Sequence, residues 1–259
     1  MAKSQEVEKA GNGKQVASYE DKYAGEGTFV AGEHQVTPQV RILHAQSPWV
    51  MKSNAAYLEG AQPGMILLTN RNTLIKGDVG ILFQPCWFGT PWVVTEPGRG
   101  GYVSEHPEPL PQWTRAAPPK GNFVMYKTPE GNVVNQVHDH VGLVHIDGEM
   151  LPYAIRFKGT GIFVSKRFNG TISSQRTPTN QPAARFANIY RMVVKGRSNQ
   201  QGEWGEWVIN WAAKAKEDAM DLGHGLRMAV ESGQARVDVA GDYGQGEYVP
   251  EVQDPNAPM

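Results

Sequence analysis

Glycine and proline set the first limit on what this chain can fold into. The 259 residues include 29 Gly and 18 Pro, spaced so that apolar runs stay short. Gln62-Pro63-Gly64 marks a turn into the run Met65–Thr69, and Pro129-Glu130-Gly131-Asn132 reads as a hairpin turn. Pro85 and Pro91 interrupt an apolar stretch that is otherwise rich in β-formers; because proline removes a ladder donor, they read as strand ends or edges. Short strands with Gly/Pro turns predict a mainly β protein, a barrel or sandwich with decoration. Hydrophobic content of 40% supplies a core, and one domain of this length can bury it.

Three regions follow from the pattern. Residues 1–35 are polar, Gly-rich and of mixed charge, and read as a flexible arm. Residues 36–237 form a single β-rich domain. Within it, residues 95–122 are too rich in Pro and Gly for a regular element and read as a loop insertion. Residues 213–233 have helical character, with Ala215, Ala219, Leu222 and Leu226 as the apolar stripe, although Gly223 and Gly225 interrupt it. Residues 238–259 contain no basic side chain but include Asp238, Asp242, Glu247, Glu251 and Asp254, and read as an acidic flexible tail. The lone Cys86 excludes an internal disulfide, and no run reaches the roughly 18 apolar residues of a membrane span. Both fit a protein used in the cytoplasm of a cell.

Charge is where the chain departs from the ordinary. It holds 25 basic and 26 acidic residues, yet Arg156 to Gln200 contains no Asp or Glu. Nine cations fall in that stretch: Arg156, Lys158, Lys166, Arg167, Arg176, Arg185, Arg191, Lys195 and Arg197. Aromatics are woven among them or follow closely, notably Phe168, Phe186, Tyr190 and Trp204. Cations that track phosphates, interleaved with rings that stack on bases, are the requirement of a single-stranded polynucleotide site. These thirteen residues are the candidate nucleic-acid contacts.

No comparable case exists for catalysis. His138-Asp139-His140 is the most enzyme-like cluster; on a strand the two imidazoles share a face and could ligate a metal, which gives a metal-dependent enzyme as one alternative. The glycines around Gly98-Arg99-Gly100-Gly101 lack the context of a phosphate loop, and no serine sits in a nucleophile elbow. The reading calls for neither a cofactor nor a metal. A phage structural or assembly protein with a basic interaction face is the other alternative.

At the basic stretch the sequence also resembles a known family. Pro152-x4-Phe157-x-Gly159 leads into a strand, followed by Val164-Ser165-Lys166-Arg167-Phe168-Asn169, Pro182 to Tyr190, the strand Arg191 to Val194, and a polar turn from Asn199 to Trp204. In this order the chain resembles the single-stranded DNA-binding proteins that tailed bacteriophages use in replication and recombination. The resemblance implies an OB-fold-like β-barrel with long loop insertions and a C-terminal helix, sequence-independent coating of single-stranded DNA, and no catalysis. It also implies recruitment of phage replication or recombination proteins through the acidic tail. The expected place of work is the host cytoplasm, and a homodimer is among the expected partners.

Overall fold

The computed structural model describes residues 36–98, 101–116, 124–199 and 202–237. The arm of residues 1–35 and the tail from 238 onward lie outside the described residues. Among these described residues, fifteen strands and two α-helices follow in order. The strands are β1 (Val36–Thr37), β2 (Val40–Ile42), β3 (Ile66–Leu68), β4 (Thr73–Ile75), β5 (Ile81–Gly89), β6 (Trp92–Thr95), β7 (Tyr102–His106) and β8 (Thr114–Ala116). They continue with β9 (Met125–Lys127), β10 (Val133–Gln136), β11 (His138–Ile146), β12 (Glu149–Phe157), β13 (Asn188–Asn199), β14 (Gly202–Lys214) and β15 (Arg236–Val237). Helix α1 spans Gly161–Ser173, between β12 and β13, and α2 spans Glu217–Glu231, after β14.

The protein is mainly β, as its Gly/Pro punctuation predicts, but its sheets stay open. The central sheet has the order β12-β11-β5-β13-β14, and a second five-stranded sheet runs β7-β6-β10-β9-β8. A three-stranded sheet, β2-β3-β4, and the β1-β15 pair complete the set. None of these sheets, among the described residues, closes into a barrel. Nor is any helix there long and apolar enough to cross a membrane.

Both faces of the central sheet are covered, so its middle strands read as nearly continuous apolar runs. On one face Phe83, Tyr153, Ile155, Tyr190, Met192 and Trp207 pack with Val164, Phe168 and Ile172 of α1 and with Val40, Ile66 and Leu68 of the small sheet. On the other, Cys86, Leu143 and Phe186 meet Leu226 of α2. The second sheet has its own core of Trp92, Val94, Trp113 and Val134.

Several sequence expectations change here. Residues 95–122 contain β7 and β8, because Gly and Pro fall between the strands and Tyr102–His106 is free of both. Gly161–Ser173 is a helix, although it was expected to be a strand. The helical segment 213–233 is a single helix from Glu217, since Ala213 and Lys214 still belong to β14. Gly223 favours that helix. A Cβ there would lie 2.8 Å from the Cβ of Phe186 and 3.0 Å from Nε2 of Gln84, so only glycine lets α2 lie this close to the sheet.

Pro85 is neither at a strand end nor at an edge; it lies inside β5 in the middle of the sheet. The register against β11 shifts there, with Pro85 opposite Gly142 and Trp87 opposite Val141. A bulge is the one interior place where a missing ladder donor is tolerated. The hairpin turns are where their sequences put them: Gly131 donates its N–H to Thr128 O at 2.9 Å between β9 and β10, and β13 and β14 pair out to Asn199↔Gly202.

Candidate nucleic-acid interface

The thirteen candidate contacts do not form one surface. Arg156 is buried, its side chain only 2% exposed. Its Nε donates to Asp139 Oδ1 at 2.8 Å, and Nη2 donates to Asp139 Oδ2 at 2.6 Å and to Glu105 Oε2 at 2.9 Å. A guanidinium buried between two carboxylates is no phosphate contact. Phe168, Phe186 and Tyr190 are core residues at 2%, 8% and 0% exposure, so they cannot stack on bases. Phe168 lies on the inward face of α1, stacked on His140 with ring centroids 5.1 Å apart and edge-on to Tyr190 at 5.0 Å. Burial raises the Tyr190 phenol to about 12.

Three cations have structural surroundings. Arg185 donates from Nη2 to Asn169 Oδ1 at 2.5 Å and lies over the Phe88 ring at 5.3 Å. Its burial lowers the guanidinium to about 10. Arg176 donates to the carbonyls of Ser173 and Gln175 at 2.7 and 3.0 Å, capping the end of α1. Lys158 is half-buried in the turn from β12 into α1.

The remaining candidates reach solvent and do come together. Arg191, Lys195 and Arg197 are exposed on β13. They lie at even spacing beyond the register shift at Ile189/Tyr190, so they share one face while Tyr190 and Met192 point into the core. Cations two residues apart on a strand stand about 7 Å apart. Trp204 is directly opposite Arg197 on β14 and is 36% exposed. Lys166 and Arg167 are exposed on α1. Glu206 links the two elements: Arg197 Nε donates to it at 2.8 Å, and Arg167 Nη2 stands 4.0 Å from its other oxygen. Such exposed pairs contribute at most about 1 kcal/mol, so Arg197 can exchange this carboxylate for a phosphate.

At the Arg191 end of this face lies a cavity of about 350 Å³, built from segments far apart in the chain and so not visible in the sequence. Its walls include Ile75, Val79, Leu82 and Ile146, with His145 and Arg191 as the polar members. Arg191 Nη2 donates to Val79 O at 2.8 Å, fixing the guanidinium at the rim. Val79 is 112 residues from Arg191 in sequence, so only the fold brings the two together.

The histidine cluster has a different character. His138 and His140 do share a face of β11, but both turn to one serine. His138 Nδ1 and His140 Nε2 each stand 2.8 Å from Ser165 Oγ on α1. Burial lowers both imidazoles below their ordinary range, and positive neighbours add to it, Lys166 for His138 and Arg185 for His140. Asp139 points the other way, into Arg156. Among the described residues no group of three or more His, Cys, Asp or Glu is placed to hold a metal ion. Ser165 is fully buried. The buried thiol of Cys86 is pushed up to about 12 by desolvation, which keeps it protonated.

No curated protein and no solved structure matches this chain. A protein-family model does, the one described as Pam3 phage gp34-like protein, over residues 8–236. That match takes in both five-stranded sheets, the α1–β13–β14 face and both helices, and the chain belongs to the Pam3 phage gp34-like family.

Proposed function

We propose that the protein binds single-stranded DNA without sequence preference along the outer face of the β13–β14 hairpin. The observation that carries the reading is the row Arg191, Lys195, Arg197 on one strand face, with an exposed Trp204 across from Arg197. A flexible polyanion lies along such a row with its phosphates on the cations, and a base stacks on the indole. Arg167 of α1 reaches the edge of this surface at Glu206, with Lys166 next to it in sequence. The site is smaller than the sequence implies, one aromatic and five cations in place of four and nine, so binding is moderate and strongly dependent on salt. In this reading the protein coats strands during phage replication or recombination in the host cytoplasm, performs no catalysis, and recruits partners through the acidic residues beyond 237.

Anisotropy of labelled poly-dT, titrated at two salt concentrations with duplex competitor, tests this. Single strands should bind tightly at low salt and resist the duplex. Lys195→Ala and Arg197→Ala should each reduce the slope of log affinity against log salt by about 0.7. Trp204→Ala should cost about 1–3 kcal/mol. Absence of binding at low salt, or binding untouched by all three changes, overturns the proposal.

One observation favours a second reading, a phage assembly protein. Helix α2 exposes Leu222 and Met228, and β14 exposes Trp211, each at about half its surface. Such apolar exposure suits a partner protein or a second copy. If DNA binding fails, this reading leads.

A further inference from the structure

The cavity beside Arg191 sits on the same sheet face as the cation row. Leu82 pairs with both Arg191 and His145 across the central sheet, so all three side chains project to one side. No register shift separates Arg191 from Lys195 and Arg197. We propose that this cavity is a base pocket: one nucleobase of the bound strand leaves the stack and enters it, while the phosphate of that nucleotide rests on Arg191. The inference rests on the single-strand reading above and gives it a defined subsite.

Three features select this occupant. At about 350 Å³ the cavity is at the small end of ligand pockets, suited to one flat ring system and too small for a helix or a peptide segment. Its walls expose apolar surface to water: Val79 is 54% and Leu82 41% exposed, and a concave apolar surface left open in this way marks a binding site. Its polar groups are few and fixed. Arg191 is anchored by Val79 O, and His145 Nε2 is engaged by Gln84 Oε1 at 3.0 Å, which orients the ring and leaves Nδ1 to meet a base edge. A flat apolar body with a hydrogen-bonding edge and an anion one bond-length of sugar away describes a nucleotide. The next phosphates along the strand then fall towards Lys195 and Arg197.

The test uses the full chain, a labelled dT oligonucleotide and the same backbone with abasic residues. Leu82→Trp fills the pocket from a half-exposed position, and Val79→Trp does so from the connecting loop, so a folding failure in one leaves the other. Each should weaken dT binding at least fivefold and leave abasic binding unchanged. A single 2-aminopurine in the oligonucleotide should change its fluorescence on binding the native protein and lose most of that response with Leu82→Trp. If the folded variants bind dT as tightly as the native protein, or weaken both strands alike, the base pocket is overturned while strand binding stands. If the native protein binds neither strand at low salt, both readings fall together.

Discussion

Ser165 has one hydroxyl proton and two imidazoles within hydrogen-bonding distance. It can donate to one and accept from the N–H of the other, so the ring that accepts its proton must be neutral. Burial enforces that state, and Lys166 and Arg185 oppose any added charge. The consequence for stability has a definite sign. Above the ordinary histidine value near 6.5 the rings are neutral in folded and unfolded chains alike, and nothing is lost. Below it the unfolded chain takes up protons that the folded chain refuses, so stability falls with pH until the lowered folded values are reached. His145, also lowered by burial, adds to the same trend. Urea midpoints should therefore drop between pH 7 and pH 5, and His140→Gln should make the profile shallower. A flat native profile would show that the cluster admits protons without cost. The same geometry keeps the Ser165 hydroxyl, fully buried between the two rings, out of reach of solvent.

At the scale of elements, what could be read in the sequence was what local chemistry decides. Turns with Pro-Glu-Gly-Asn or Gln-Gln-Gly fix their hairpins within a few residues, and the β9–β10 and β13–β14 pairs follow them. Helix α1 was obscured by composition. Ile162, Phe163, Val164 and Phe168 are β-formers, yet Val164, Phe168 and Ile172 recur every four residues and, with Ile162 and Ser165, are buried. That period also explains why Phe168 is core while Lys166 and Arg167 are exposed. Burial of Arg156 was not legible, because its second carboxylate, Glu105, is 51 residues away and only the fold brings it near. The β5 bulge opposite Gly142 is another tertiary feature, and it yields a prediction. A Cβ on Gly142 would lie 2.2 Å from Gln84 O and 2.6 Å from the Phe83 ring. Gly142→Ala should therefore destabilise by about 1–3 kcal/mol or more, as overpacked cores do. Chemical denaturation measures it, and an unchanged midpoint would mean that the bulge relaxes freely around the added methyl.

For the whole molecule, the question is what couples the second sheet to the central one. Chain continuity does part of it, since β5 runs on into β6 and β10 into β11 after short breaks. Arg156 adds a direct link: from β12 it grips Asp139 on β11 and Glu105 on β7, one residue in each sheet. Removing one member of a buried charge cluster costs about 3–5 kcal/mol, mainly because the remaining charge is stranded without water. Arg156→Met should therefore lower stability by about that amount, and the double variant Arg156→Met with Asp139→Asn should recover part of it by removing the stranded carboxylate. Denaturation midpoints of the two variants decide the structural role. Anisotropy on the folded fraction decides the functional one. A side chain buried between two carboxylates contributes nothing to a phosphate row on β13, so the affinity per folded molecule for single strands should be unchanged. Weakened binding by a protein of undiminished stability would return Arg156 to the contact surface that its position in the basic stretch suggests, and would require the two sheets to be joined by their short connections alone.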